Sequence, residues 1–220
     1  MARITSRKEL LMESLESFFN NPEHVIKIIP IIMGNRKISL RIIDWFVTNY
    51  SKKNNTTYFI DKNKKSILND ISKYEPGTCD EFIVYINYKL QLKAYSKKQF
   101  DPFCRRSRID YYYNKHNLLD YIKKNNLDVP NIKQYLETND ESYFTTTTGQ
   151  LNFFRWIINN KIIDYILLNI KEIDKDMNTS YRKQYPKKRD TSSRKKRNEL
   201  SLSATKSLSK SNVNVIVTFN

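Results

Sequence analysis

The chain has 220 residues, the length of one or two domains, and 39% of them are hydrophobic, which is enough for a sizeable core. Thirty-nine Lys and Arg residues against 23 Asp and Glu give a net charge of +16. This composition excludes a collagen, a disulfide scaffold and a wholly disordered chain. The three glycines lie too far apart for a dinucleotide-binding motif or a P-loop.

The first three predicted helices begin at local start signals. Ser6 and Glu9 form a capping box, and Pro22 suits the first turn of a helix. Ser39 precedes apolar residues that recur with helical spacing. We therefore expect helices over 6–19, 22–30 and 40–50.

The middle of the chain mixes strand and helix signals. A run of Thr, Tyr, Phe and Ile over 56–60 predicts a strand, and a short helix over 66–73 is expected to follow. Residues 82–94 alternate like a strand but contain strong helix formers, so both readings stay open. We favour a strand over 81–86 followed by a helix over 88–99. A further strand is expected over 109–113.

The remaining elements are mostly helical. Amphipathic helices are predicted over 116–125 and after Pro130, and residues 145–148 are expected to form a polar loop. The strongest helical stretch runs over 151–173, with a break at 159–160. We find no internal repeat. The expected fold is a compact, helix-dominated α+β domain over 1–177, here called the body, with a few short strands.

The composition changes near residue 178. Residues 178–220 are rich in Ser, Lys and Arg and carry a net charge of +9. Apolar residues are scarce there until the last few positions. This composition predicts a disordered basic C-terminal tail.

The most basic part of the body is the segment 87–115, where eight Lys and Arg residues face two Asp residues, a net charge of +6. Its basic residues are Lys89, Lys93, Lys97, Lys98, Arg105, Arg106, Arg108 and Lys115. Lys and Arg neutralise phosphates and release counterions, and Arg can hold a phosphate through two hydrogen bonds. The segment predicts contact with nucleic acid. The alternatives are a solvated helix face and a site for an acidic protein surface.

Aromatic residues are interleaved with these charges. Tyr95, Tyr111, Tyr112 and Tyr113 are candidates either to stack on unpaired bases or to fix the basic patch in place. In the tail, two basic clusters are candidates for electrostatic nucleic-acid binding or for a nuclear import signal. These clusters consist of Lys187, Lys188 and Arg189, and of Arg194, Lys195, Lys196 and Arg197.

The sequence contains no complete catalytic set. No Asp or Glu is followed by Lys two positions later, as nucleases of the PD-(D/E)xK type require, and neither His24 nor His116 begins a His-x-x-Arg pair. Cys79 and Cys104 lack zinc-site spacing and are expected to be reduced thiols. We expect no metal and no cofactor, and a non-enzymatic role is favoured. Charges within 151–170, the most apolar stretch, argue against a membrane span, and no signal peptide is expected.

Three stretches carry a family resemblance. They are Ser39–Lys53 (SLRIIDWFVTNYSKK), Tyr88–Arg106 (YKLQLKAYSKKQFDPFCRR) and Gly149–Trp156 (GQLNFFRW). They resemble small uncharacterised basic proteins of the nucleocytoplasmic large DNA viruses, of the mimivirus type. The resemblance covers about 36–170 and implies a giant-virus setting, in which such a protein serves the virion core, the genome or the viral factory. It transfers no catalytic residue.

We therefore expect a non-enzymatic protein of a large DNA virus that binds DNA or RNA, located in the virion or the cytoplasmic viral factory, with the nucleus as the alternative through the basic tail. The rival hypothesis is a virion or capsid-associated structural protein. In that case the basic patch would bind an acidic viral protein, and Phe100–Phe103 would form a docking corner.

Overall fold

The computed structural model describes residues 6–34, 38–62, 66–68, 77–105, 107–138 and 142–184, which all belong to one compact unit. The α-helices of these residues are α1 (Arg7–Phe19), α2 (Pro22–Ile32), α3 (Leu40–Trp45), α4 (Ser51–Lys53), α5 (Val84–Ala94), α6 (Lys115–Lys124), α7 (Pro130–Thr138), α8 (Thr148–Asn159), α9 (Ile162–Leu168) and α10 (Ile170–Gln184). A π-helical turn over Phe46–Tyr50 joins α3 to α4, so the predicted third helix continues to Lys53.

Two small antiparallel sheets accompany the helices. Their strands are β1 (Thr57–Asp61), β2 (Ser66–Ile67), β3 (Cys79–Ile83), β4 (Arg108–Tyr112) and β5 (Tyr143–Thr147). The first sheet has the order β2-β1-β3, and the second consists of β4 and β5. In the second sheet Arg108 lies opposite Thr147, and Tyr112 lies opposite Tyr143. The predicted helix-dominated α+β class is confirmed.

The start of α1 is set by local hydrogen bonds. The hydroxyl of Ser6 accepts a hydrogen bond from the backbone N–H of Glu9, and the Glu9 carboxylate accepts one from the backbone N–H of Ser6. The predicted capping box is therefore confirmed, because both otherwise unpaired N–H groups are satisfied.

The starts of α2 and α3 also follow the predicted signals. Asn21 accepts from the N–H of Glu23 in front of α2, and Ser39 accepts from the N–H of Ile42 in α3. Helix α2 continues two residues beyond its predicted end, with Pro30 inside it.

Helix α8 is the centre of the core. Its side chains are buried around most of its circumference, and it packs against α1, α2, α9 and β5. Phe153 and Trp156 of α8 contact the ring of Phe100, with centroids 5.3 and 5.6 Å apart. A helix that is apolar on nearly every side requires cover on every side. The N-terminal helices α1 and α2 and the segment around Phe100 provide part of this cover by packing on α8.

Two sequence-based assignments are wrong. Residues 145–148 are not a polar loop, because 145–147 lie in β5, where Thr146 and Thr147 are buried, and Thr148 begins α8. Ser66 and Ile67 are not helical, because they pair with Asp61 and Ile60 of β1. The rest of the helix predicted over 66–73 lies at residue 68, which is not helical, and otherwise outside the described residues.

The ambiguous stretch 82–94 contains both elements, but the change from strand to helix comes earlier than predicted. β3 ends at Ile83, so residues 84–86 are helical rather than extended. The Asn87 side chain donates to the carbonyl oxygen of Ile83, within the first turn of α5. The helix also ends early, because Tyr95 is extended and leads the chain toward buried Phe100.

The break in the last helical stretch is confirmed. Lys161 has a left-handed backbone, φ 55°, and separates α8 from α9. Helix α10 then continues past residue 177 to Gln184, so residues 178–184 are helical although their composition assigned them to the tail. Asp176 of α10 accepts hydrogen bonds from Trp45 and Lys53, which hold α10 against α3 and α4. None of the helices in the described ranges combines the length and the hydropathy needed to cross a bilayer.

Candidate nucleic-acid interface

A groove of about 690 Å³ lies where the N-terminus of α8 meets α1 and the connection between α5 and β4. Its lining residues are Lys8, Ser96, Lys97, Lys98, Gln99, Asp101, Phe103, Arg105, Ser107, Thr147 and Thr148. Four of them are cationic and one is acidic. The groove therefore gathers positive charge from parts of the chain that are far apart in sequence.

One wall of the groove is the segment 96–105, which lies directly on α8. Gly149 makes this approach possible, because a Cβ atom there would stand 2.8 Å from the carbonyl oxygen of Lys98. The Gln150 side chain donates to the carbonyl oxygen of Pro102 at 2.8 Å, and the Asn152 side chain donates to that of Gln99 at 2.9 Å. The backbone that carries Lys97, Lys98 and Arg105 is therefore fixed by hydrogen bonds from side chains of α8.

Arg105 is held by two of its neighbours. Its Nε lies 3.8 Å from a carboxylate oxygen of Asp101, and its guanidinium carbon lies 4.7 Å from the centre of the Phe103 ring. The other carboxylate oxygen of Asp101 accepts from the backbone N–H of Phe103 at 3.0 Å. The side chain remains largely exposed. It is thus positioned but still accessible to an anion.

A half-buried acidic residue, Asp44, lies close to this arrangement. Burial raises the pKa of Asp44 on α3, while Arg105 lowers it and Asp101 raises it. Burial also raises the pKa of Tyr88 to about 12, with smaller contributions from Asp44 and Asp101. Asp44 and Asp101 therefore both interact electrostatically with Arg105.

The structure brings only part of the predicted basic segment to the groove. Lys97, Lys98 and Arg105 line it, whereas Lys89 and Lys93 are exposed on α5 and do not. Arg108 is exposed on β4, opposite Thr147, which does line the groove. Arg106 lies outside the described residues, as do the tail candidates Lys187, Lys188, Arg189, Arg194, Lys195, Lys196 and Arg197.

The four candidate tyrosines occupy different environments. Tyr111 and Tyr113 are buried and pack on Phe144, so neither offers a ring face to a base. Tyr95 is half-buried, with its ring parallel to that of Phe100. Tyr112 alone among them is strongly exposed, at 71%. These contacts assign Tyr111 and Tyr113 to the core and leave Tyr112 as the accessible ring.

Sequence reasoning missed Lys8, Thr147 and Thr148. No local pattern marks Lys8, which reaches the groove because α1 lies beside α5, where Arg7 donates to the carbonyl oxygen of Ala94 at 3.0 Å. Thr147 had a detectable signal, since Thr147 and Gln150 have the spacing of a capping box. The Thr147 hydroxyl accepts from the N–H of Gln150 at 3.0 Å.

Histidines and cysteines outside the groove form no metal-binding cluster in the described part of the chain. His24 Nδ1 donates to the carbonyl oxygen of Phe18 at 2.8 Å, and the two rings stack. Cys79 and Cys104 are both free thiols. No cluster of three or more His, Cys, Asp and Glu residues suited to a metal occurs among the described residues.

Comparison with known proteins finds a family of unknown function and a viral relative. A family model described as a family of unknown function, DUF7197, matches residues 3–127 and 128–218. Uncharacterized protein L507 of Acanthamoeba polyphaga mimivirus is 37% identical over 201 residues, which cover 91% of this chain and 65% of that protein. The chain thus spans slightly less than two thirds of the length of this relative. No solved structure matches the chain. The resemblance to giant-virus proteins is confirmed.

Proposed function

The chain belongs to the DUF7197 family, and from the geometry of its groove we propose that it is a non-enzymatic nucleic-acid-binding protein that holds backbone phosphates. The observation that carries the proposal is the convergence of Lys8, Lys97, Lys98 and Arg105 on one groove. Since the protein is viral, the viral genome or its transcripts, in the virion core or the viral factory, are the proposed targets.

The charges of the groove are suited to anions. Among the described residues, no carboxylate forms an ion pair with Lys8, Lys97 or Lys98. Arg105 has only the long contact with Asp101, so its guanidinium can still form two hydrogen bonds with a phosphate. Each phosphate contact releases condensed counterions, which favours binding at low salt.

The N-terminus of α8 adds to this field. Thr147 caps the helix, and Thr147 and Thr148 both line the groove. The macrodipole of a helix of this length favours negative charge near its N-terminus. Phosphates in the groove would therefore meet side-chain cations and the positive end of a helix at the same place.

A second candidate function is the binding of an acidic viral protein, as in a virion component. Ile86 and Leu90 lie one turn apart on α5 and are each 53% exposed, beside the exposed Lys89 and Lys93. A surface that alternates apolar and cationic side chains is suited to a protein partner. A complex that survives nuclease treatment would favour this function over nucleic-acid binding.

The proposal is tested by measuring the affinity of the full chain for 20-nucleotide single strands and duplexes of DNA and RNA across a salt series. The double variant Lys97→Gln/Lys98→Gln is compared with Lys123→Gln/Lys124→Gln, a matched pair of exposed lysines at the end of α6. Loss of two phosphate contacts is expected to reduce the slope of log K against log salt by about 1.4 for single strands.

The control pair is expected to leave that slope unchanged, and both variants should melt like the wild type because all four side chains are exposed. Equal slopes for the wild type and the Lys97/Lys98 variant would rule out the groove as the binding site. Absence of salt-dependent binding in the wild type would remove the function itself.

A further inference from the structure

The exposed face of the β4–β5 ribbon leads away from the groove. Arg108, Asp110 and Tyr112 are the exposed residues of β4, and Arg108 lies opposite the groove residue Thr147. At about 3.4 Å per residue, Tyr112 lies about 14 Å from Arg108 along the strand. A polymer bound in the groove can therefore reach Tyr112 by following this face of the ribbon.

An aromatic pair stands at the far end of the ribbon. The ring of Tyr112 lies 5.3 Å from that of Tyr143, its partner across the two strands. Beside Tyr112 is a hollow of about 290 Å³, whose lining includes Asn114 and Asn117. An exposed ring offers a face for stacking, and neighbouring amides can hydrogen-bond the edge of a base.

We propose that the ligand is a single-stranded polynucleotide, with its phosphates in the groove and a base stacked on Tyr112. This inference rests on the proposed function and specifies its substrate class. The bases of a duplex are stacked inside the helix, whereas a single strand can present a base to an aromatic ring. The concave groove has about the volume of a small-ligand pocket, and this size favours one strand over a double helix.

Asp110 constrains the path of the bound strand between the groove and Tyr112. It lies midway along the ribbon, and its carboxylate accepts a hydrogen bond from the hydroxyl of Thr145 at 2.8 Å. This negative charge disfavours a phosphate at the centre of the ribbon. The sugar–phosphate chain is therefore expected to run beside Asp110, while the bases face the ribbon.

The experiment compares Tyr112→Ala and Tyr112→Phe in the full chain, with Tyr181→Ala on α10 as an exposed tyrosine elsewhere. The probes are oligo-dU and oligo-rU single strands, which share a base and differ in the sugar, with matched duplexes of DNA and RNA. Loss of one stacked base is expected to weaken single-strand binding about 5- to 150-fold. The salt slope should not change, because no charge is removed.

Tyr112→Phe should retain most of the affinity, since the ring remains, and Tyr181→Ala should retain all of it. Unequal effects on dU and rU would show which sugar the site prefers and would support the inference in either case. Wild-type protein that binds duplexes as tightly as single strands would overturn the inference, as would full affinity in Tyr112→Ala. Both results would leave the proposed function standing, whereas a wild type that binds none of the probes would overturn both.

Discussion

At the scale of residues, Asp44 shows how the surroundings of the groove influence a single charge. Burial raises the pKa of this carboxyl, and Asp101 acts in the same direction, whereas Arg105 opposes them. A raised pKa means that the ionised form is disfavoured in the folded protein. The fold therefore loses stability as the pH rises from the ordinary aspartate value, about 4, through the raised value.

Replacement of this carboxylate is expected to stabilise the protein at neutral pH. Asp44→Asn should raise the melting temperature at pH 7, because a neutral amide avoids the cost of holding an ionised carboxylate in a half-buried position. The gain should disappear below about pH 4, where Asp44 of the wild type is protonated as well. Thermal melting of both proteins across this pH range checks the prediction.

Asp120→Asn, at an exposed position on α6, is the control for loss of a negative charge from a basic protein. A lower melting temperature for Asp44→Asn at pH 7 would contradict the prediction. It would show that the attraction of Arg105 for the carboxylate outweighs the cost of its burial.

At the scale of elements, the groove depends on the close approach of the 96–105 segment to α8. Gly149 lies directly against the backbone of Lys98 and Phe100 and leaves no room there for a side chain. Since the nearest atom is a backbone carbonyl oxygen, it cannot swing aside like the end of a flexible side chain. The hydrogen bonds from Gln150 and Asn152 then hold the segment on either side of this contact.

Gly149→Ala is expected to destabilise the protein although alanine favours helices by about 1 kcal/mol over glycine. The clash with Lys98 should exceed this gain, because overpacking of a tight site costs about 1–3 kcal/mol. Denaturant unfolding measures the loss, and single-strand affinity should fall with it as the wall of the groove moves.

The control for helix propensity is Asn159→Ala, at the exposed end of α8. A Gly149→Ala variant that is as stable as the wild type and binds normally would show that the two elements can separate without cost to the groove.

At the scale of the whole molecule, positive charge is divided between a folded surface and the tail. Residues 185–220, beyond the end of α10, carry a net charge of +7 out of +16, and the groove gathers four cationic side chains and one acidic one. Charges spread along a chain raise the rate of encounter with a polyanion. A groove of fixed geometry can instead distinguish a single strand from a duplex. The two parts are therefore expected to contribute to different stages of binding.

Neutralising the tail clusters in the full chain should slow association without removing selectivity. The variant carries Gln at Lys187, Lys188, Arg189, Arg194, Lys195, Lys196 and Arg197. Stopped-flow association rates should fall most at low salt, and the preference for single strands over duplexes should persist. If the variant no longer prefers single strands over duplexes, the selective site lies in the tail.

Much of the secondary structure follows from local signals. The Ser6–Glu9 capping box, Pro22 and Ser39 each determine a helix start through bonds within a few residues, and all three starts were predictable. The errors arose where contacts between residues far apart in sequence determine the secondary structure or the burial. Ser66 and Ile67 are extended because β1 pairs with them, and Thr146 and Thr147 are buried in β5 between β4 and the start of α8.

For the site, the sequence by itself determined that positive charge is concentrated in the segment 87–115, because charge density is a property of composition. Only the tertiary structure decided which of these residues act together. Because Phe100 packs on the apolar surface of α8, residues 96–105 lie at the N-terminus of this helix, next to Lys8 of α1. The same packing buries Tyr111 and Tyr113 and leaves Tyr112 in solvent, since neighbouring residues of a strand point to opposite faces.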